Sequence, residues 1–280
     1  MPDAAITASG AERQKRRNSQ PWSFRNDQCD AGIRILMSPY YQQDGITLYH
    51  GDAMEIVPLL EERFDSAICD PPYGETSLDW DIWPGGWPAM ASLVTDSLWC
   101  FGSMRMFLDR RDEFSGWKFA QDIVWEKHNG SGFAADRFKR VHELACHFYS
   151  GEWNQIFHEA PTTPDATPRT VRRKERPPHT GRIENSTYVS EDGGPRLQRS
   201  VIYVRSCHGY AVNETQKPEG IVSPLMEYSV PQGGSCIDLF AGSGTTLAVA
   251  RQQGKRCVGI EKRESQCEEI VRRLAQGVLL

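Results

Sequence analysis

The sequence predicts an α/β fold built on a doubly wound sheet, interrupted by an irregular insertion before its last strands. Short apolar runs of strand length, Ser66–Cys69, Leu98–Gly102 and Cys236–Phe240, read as strands buried in a sheet. They alternate with segments whose apolar residues recur at helical spacing, the order that favours parallel pairing through right-handed crossovers. Two of these runs end in unusual loops, Asp70-Pro71-Pro72-Tyr73 and Ala241-Gly242-Ser243-Gly244-Thr245-Thr246. Open α/β sheets place their ligands at the carboxyl ends of the strands.

The totals bound the answer. A chain of 280 residues can bury one large core and still carry an inserted module. A formal net charge of −5 disfavours an all-over basic nucleic-acid binder but permits a local basic face. No apolar run reaches membrane-spanning length and no signal-peptide core follows Met1, so the expected address is cytoplasmic, without a membrane. The eight cysteines are scattered with no C-x-x-C pair, which reads as free thiols in a reducing compartment.

Residues 1–43 are polar and aperiodic, with a small basic cluster at Arg13, Lys15, Arg16 and Arg17; a flexible tail is expected. A first half-domain spans 44–150. Ile46–His50 reads as a strand, and Met54, Ile56, Val57, Leu59 and Leu60 give a short helical face before the Ser66–Cys69 strand. Strand, helix and strand make a βαβ unit. Gly74 to Trp87 is loop, with Trp80, Trp83 and Trp87 read as core anchors or, given their place after Tyr73, as a lid. A helical face at Trp87, Met90, Leu93 and Val94 follows, then a strand at Leu98–Gly102 and a helix from Met104 to Phe114. Strands at Ile123–Trp125 and Glu143–Ser150 complete the half.

Between 151 and 200 six prolines interrupt the chain and apolar periodicity fades. Arg169, Arg172, Arg173, Lys174, Arg176 and Arg182 face a single acid, Glu175, which in an acidic protein marks either a solvated loop or a phosphate-contacting segment. A second half-domain, 201–280, holds a strand at Val201–Val204, a helix from Gly220 to Ser229 and the Cys236–Phe240 strand. It closes with a helix from Leu247 to Gln253, a strand Arg256–Ile260 tipped by Glu261, and a helical face at Cys267, Ile270, Val271 and Leu274. His142 and His147 lie five apart, a spacing that fits neither a helical zinc pair nor one face of a strand, so no metal is expected.

Two constellations carry chemistry. Pro71 and Pro72 lack N–H groups and fix φ, so the chain leaves its strand in a stiff bend that presents Asp70 and Tyr73; the alternative is a plain surface turn. Asp238 to Thr246 joins strand to helix through two glycines, whose missing side chains admit a ligand close to the backbone. Glu261, 17 positions after Gly244 at the tip of the next strand, is placed to hold ribose hydroxyls. No third glycine stands at Leu247 and no Gly-Lys-Ser/Thr follows, so the loop departs from G-x-G-x-x-G and is no NTPase loop. A NAD-dependent oxidoreductase would explain the glycines but leave Asp70 to Tyr73 without a role.

From Ile46 to Leu274 the chain resembles the S-adenosylmethionine-dependent amino-group DNA methyltransferases. Asp70-Pro71-Pro72-Tyr73, Thr215-Gln216-Lys217-Pro218 and Phe240-Ala241-Gly242-Ser243-Gly244 carry the resemblance, in the motif order of the permuted β class. Asn213-Glu214 stand where that family has His-Pro. The resemblance implies a Rossmann-like doubly wound mixed sheet in which the strands ending at Asp70 and Phe240 are neighbours, and S-adenosylmethionine as cofactor. Asp52 then lies near its adenine, Glu261 at its ribose and Phe240 to Thr246 around its methionine part, with Ala53 and Asp238 also binding the cofactor and Thr215, Gln216 and Lys217 closing the pocket. Asp70, with Pro71, Pro72 and Tyr73, would act on the exocyclic amine of a base flipped from double-stranded DNA. Arg169, Arg172, Arg173, Lys174 and Arg176 would contact its phosphates.

The family habit of pairing Asp with adenine favours a site-specific adenine-N6 methyltransferase, with cytosine-N4 methylation as the alternative. Cytosine-C5 chemistry lacks its Pro-Cys pair, and an RNA or protein amide methyltransferase would carry Asn in place of Asp70. A non-catalytic DNA-binding module on the same fold is the reading from a different class, and the intact Asp70, Tyr73, Gly242 and Gly244 count against it. The resemblance alone suggests a homodimer and a cognate restriction endonuclease as partners.

Overall fold

The computed structural model describes residues 38–131, 135–173, 186–207 and 216–276, all within one compact unit that begins at Met37. The tail reading over residues 1–37 lies outside the described residues. Residues 41–43, also assigned to the tail, instead form an edge strand: β1 (Tyr41–Gln43) turns back onto β2 (Ile46–His50). Asp44 and Gly45 both have positive φ, 52° and 79°, and Asp-Gly is a strong sequence signal for such a hairpin turn.

The first helix is short. Asp52 caps α1 (Ala53–Ile56) by accepting the Met54 N–H at 2.8 Å, and beyond it Pro58 sits in a 3₁₀ turn over Val57–Leu59. Next come β3 (Ser66–Cys69), α2 (Trp87–Ala91) and β4 (Ser97–Gly102). The helix expected from Met104 to Phe114 breaks into α3 (Met104–Asp109) and a 3₁₀ turn at Arg111–Phe114. The strand read at Ile123–Trp125 is far longer, β5 (Lys118–Ser131), and pairs with β6 (Arg140–Tyr149).

Among its described residues the insertion contains four short strands, β7 (Thr162–Thr163), β8 (Arg169–Arg173), β9 (Ser186–Ser190) and β10 (Arg196–Leu197), paired as β7–β10 and β8–β9. After β11 (Val201–Tyr203) come α4 (Glu219–Ser229), β12 (Ser235–Asp238), α5 (Thr245–Gln252), β13 (Arg256–Glu261) and α6 (Glu264–Gln276).

Among the described residues the main sheet has nine strands in the order β1-β2-β13-β12-β3-β4-β6-β5-β11. Strands β2, β13, β12, β3 and β4 run parallel, whereas β6 is antiparallel to both neighbours, so the sheet is mixed. Successive residues of β3 and β4 serve opposite faces, as the period of a strand requires. Ile68, Trp99 and Phe101 pack with Ile221 of α4, Leu247 of α5 and Ile270 of α6. Ala67, Cys69, Leu98 and Cys100 pack on the other side with Ala53 of α1, Trp87 of α2 and Met106 of α3. Helices cover both faces, and the crevice opens along the carboxyl edge.

The register places the two distant motifs side by side. Cys236 and Ile237 of β12 pair with Ser66 and Ala67 of β3, so Asp238 and Asp70 leave adjacent strands. Past the Gly102–Leu144 pair, where β4 ends, β5 and β6 continue together to Ser131–Arg140. That hairpin rises above the carboxyl edge beside the crevice.

Candidate active site

Asp70 is the first residue beyond β3, and the two prolines carry the chain away from the sheet behind it. Both of its oxygens are engaged. The Tyr73 hydroxyl donates to Oδ1 at 2.7 Å, and the Lys217 ammonium donates to Oδ2 at 2.6 Å. Nζ of Lys217 also lies 3.6 Å from Oε2 of Glu143, whose Oε1 meets Lys127 Nζ at 2.9 Å. Two carboxylates and two ammonium groups thus form one largely buried, charge-balanced cluster. Rings of Tyr73 and Phe101 stand 5.7 and 5.4 Å from the Lys217 nitrogen, which suits a cation.

The electrostatics follow from burial first and partners second. Burial lifts the Asp70 carboxyl; Lys217 pulls it back and Glu143 pushes it up, leaving it raised. Burial pulls Lys217 down, but Asp70 and Glu143 outweigh it and hold the ammonium firmly charged. Glu143, buried as well, ends below its usual value because Lys217 and Lys127 stand beside it. Burial, with Asp70 next to it, pushes the Tyr73 phenol well up.

The loop after Tyr73 is tied down by acids. Asp81 accepts the Thr76 hydroxyl at 2.7 Å and the N–H groups of Gly74, Glu75 and Thr76 at 2.9, 3.0 and 2.7 Å; against burial, the hydroxyl first and then these N–H groups hold its carboxyl low. Glu113 holds the Trp83 indole N–H at 2.8 Å and the Gly86 N–H at 2.7 Å. Trp87 is a fully buried core anchor. Trp80 sits at the mouth of the crevice, with the Arg263 guanidinium 4.9 Å over its ring.

Beside this cluster lies a cavity of about 620 Å³. Asp52, Ala53, Gln216, Lys217, Asp238, Phe240, Ala241, Gly242, Ser243, Thr245, Thr246 and Glu261 all line it, together with Asp70 and Pro72. Glu261 is fixed at its rim: Oε2 accepts the Gly242 N–H at 2.8 Å, and Oε1 accepts the Arg263 backbone N–H at 2.9 Å and its guanidinium Nε at 3.4 Å, so Oε2 keeps a second lone pair. Gly242 and Gly244 adopt positive φ, 50° and 73°. Gly244 does not face the cavity; it starts α5, and a Cβ there would meet Ile270 at 3.0 Å. Asp238 is buried beneath the loop, its Oδ1 accepting the Phe240 N–H at 3.0 Å, and burial raises its carboxyl to about 7.

Lys217 links the two halves. Its carbonyl accepts the Thr245 hydroxyl at 2.9 Å on the glycine-loop side, while its ammonium reaches Asp70. Thr215 lies outside the described residues. Of the basic segment, Arg169, Arg172 and Arg173 lie on β8, and Lys174 and Arg176 lie outside the described residues. Glu143 and Lys127 are site residues that sequence reasoning misses; their only signal is a carboxylate at the start of a strand otherwise turning apolar. His147 is buried and stacked on Trp99 at 4.5 Å, with burial dropping its pKa to about 3, whereas His142 is exposed.

A family model described as DNA methylase matches residues 64–272. The type II methyltransferase M2.LlaDCHI of Lactococcus lactis subsp. cremoris is 22% identical over 284 residues, covering 87% of this chain and 94% of that protein. M.ScaI of Streptomyces caespitosus, also a type II methyltransferase, is 24% identical over 269 residues, covering 86% and 85%. Among solved structures, the M1.HpyAVI–SAM complex aligns with a TM-score of 0.54 at 20% identity, covering 81% of this chain and 99% of that one. PvuII DNA methyltransferase, cytosine-N4-specific, aligns at 0.56 with 13% identity, covering 84% and 88%. At these identities the structural likeness carries the fold.

Proposed function

We infer that this chain, which belongs to the N6/N4 DNA methylase family, transfers a methyl group from S-adenosylmethionine to the N6 amine of an adenine flipped out of double-stranded DNA. The observation that carries the reading is a single cavity walled by both the glycine loop and the carboxylate of Asp70.

The residues present suit the cofactor. The glycine loop lets a ligand approach the backbone, Oε2 of Glu261 has a lone pair for a ribose hydroxyl, and Asp238 is a buried carboxyl able to answer an ammonium. Asp52 also lines the cavity, its side chain held by Met54 N–H and by Lys262 at 3.0 Å. Bound there, S-adenosylmethionine supplies a methyl already activated on a sulfonium, so the enzyme needs no covalent intermediate.

What remains for the protein is the amine, whose lone pair is delocalised into the base. Asp70 and the Pro71 carbonyl accept hydrogen bonds from the NH₂ and draw the nitrogen toward a geometry with a usable lone pair. As that nitrogen takes the methyl it sheds one proton, for which the Asp70 carboxylate is the nearest acceptor. Tyr73 offers a ring for the extruded base and holds Asp70 in place through its hydroxyl. The duplex would lie across the carboxyl edge, where Lys139 and Arg140 stand on the rising β5–β6 hairpin, with the basic strand β8 as a further phosphate contact.

Cytosine N4 presents the same kind of amine, and the PvuII structural neighbour is cytosine-N4-specific. Asp at position 70 rather than Ser supports adenine through the family resemblance. Treating unmethylated phage DNA with the enzyme and labelled cofactor, then separating the nucleosides, tests the choice. Label in N6-methyladenine is expected; label only in N4-methylcytosine overturns the base, and no label in any nucleoside overturns the function. Among the described residues no helix is long and apolar enough to cross a membrane. A cytoplasmic location is proposed from the sequence pattern, and a homodimer and a cognate endonuclease from the resemblance.

A further inference from the structure

We propose that Glu143 is a positioning residue for methyl transfer: it is the alternate seat of the Lys217 ammonium, which leaves Asp70 when the target amine arrives. The inference rests on the amino-methyl-transfer reading of the site but not on which base is methylated.

The need for a second seat comes from Asp70 itself. Its Oδ1 is taken by the Tyr73 hydroxyl and its Oδ2 by the Lys217 ammonium. An ammonium at 2.6 Å takes one lone pair of that oxygen and, more consequentially, opposes its purpose, because the attacking nitrogen gains positive charge as the bond to the methyl forms. A carboxylate that still neutralises a lysine stabilises a second cation poorly. Lys217 cannot simply swing into solvent, since it is buried and its carbonyl is tethered by Thr245.

Glu143 answers that need. Its Oε2 is buried, makes no hydrogen bond, and lies 3.6 Å from Lys217 Nζ, so a shift of about 1 Å turns the contact into a charge-assisted hydrogen bond. Lys127 holds Oε1 at 2.9 Å and keeps the second oxygen turned to the site. A buried carboxylate oxygen without a hydrogen bond is costly unless something uses it. In the shifted arrangement that oxygen gains its partner, Lys217 stays neutralised, and Asp70 has Oδ2 for the amine.

The test is a double-mutant cycle on single-turnover methylation of unmethylated phage DNA with labelled S-adenosylmethionine, beside calorimetric cofactor binding. Glu143→Gln in the wild-type background should slow the saturated rate about tenfold or more while leaving cofactor affinity and the KM for DNA within about twofold. Made in a Lys217→Gln background, the same change should cost less than about twofold, because the ammonium it serves is gone. Glu143→Asp, with its carboxylate one methylene farther away, should recover part of the rate; it also replaces Gln in the cycle if Gln impairs folding. Additive losses, or a rate loss matched by equal loss of cofactor binding, overturn the proposal. A protein that labels DNA yet gives an additive cycle fails only here, whereas one that labels no nucleoside fails at the function.

Discussion

Replacing Asp70 by Asn tests how charge is shared at the centre of the site. The change keeps shape and removes one negative charge from the cluster of Asp70, Glu143, Lys217 and Lys127. At an effective dielectric of about 20, a unit pair at the 2.6 Å Asp70–Lys217 distance is worth roughly 6 kcal/mol, and one at the 3.6 Å Glu143–Lys217 distance roughly 5. The ammonium therefore retains a partner, and closing onto Glu143 recovers part of the loss. The expected destabilisation is about 2 kcal/mol, below the 3–5 kcal/mol of a buried charge left alone. For a domain of this size that lowers the melting temperature by about 4–8 °C. The chemical step should lose about 10²–10³ in rate, the scale of one preorganised polar contact, with cofactor affinity retained. Thermal melts, calorimetry and single-turnover methylation read the three quantities. An unchanged rate would refute the role of Asp70; a protein that no longer folds would refute the shared-lysine arithmetic.

Other expectations come from the cavity walls and the basic strand. Asp238 is raised to about 7 from an ordinary value of 3.8, so the cofactor-free protein holds an extra proton over the unfolded chain between those values. Its contribution to stability is full below about pH 4 and lost as pH rises through about 7; Asp238→Asn should flatten that part of the melting profile. If a cofactor ammonium pairs with Asp238, binding near pH 7 should release a proton, visible as buffer-dependent calorimetric heats that vanish in Asp238→Asn. Gly242→Val should abolish cofactor binding, since a β-branched residue cannot hold φ of 50° and the N–H that fixes Glu261 would shift, while Glu261→Ala should weaken it; unchanged affinity in both would remove the cofactor assignment. Neutralising Arg169, Arg172, Arg173, Lys174 and Arg176 together should weaken DNA binding and flatten its salt dependence by about one unit of slope per lost phosphate contact. An unchanged slope would return the segment to a solvated loop.

Much of the fold was legible because the buried strands are short and apolar and the loops between them carry glycine, proline or a capping side chain. The βαβ unit from Ile46 to Cys69, the strand into Asp238 and the helix after Gly244 all stand where local pattern places them. Local pattern falls short where signals compete. Asp44-Gly45 turns a hairpin at a place where polar composition suggests the edge of a tail, and β5 outruns its apolar centre because its outer half pairs with β6 above the sheet. Polar residues out there satisfy their backbone through the partner strand, which no single stretch of sequence reports.

The sequence by itself determined the chemistry on offer: a carboxylate behind two prolines, a ring three residues on, a glycine loop between strand and helix, and an acid at the next strand tip. Each depends on neighbours within a few positions, so each can be read locally. Local pattern does not place β12 beside β3; that pairing, which only the family resemblance implied, is made by the tertiary structure and turns two motifs nearly 170 residues apart into walls of one cavity. Only the tertiary structure decided that Lys217, from the pocket-closing segment, reaches Asp70, and that Glu143 on the reversed strand β6 stands within reach of the same ammonium. The physical reason is burial. Charges removed from water must find one another across the fold, and a sequence names the charges without saying which of them the sheet will bring together.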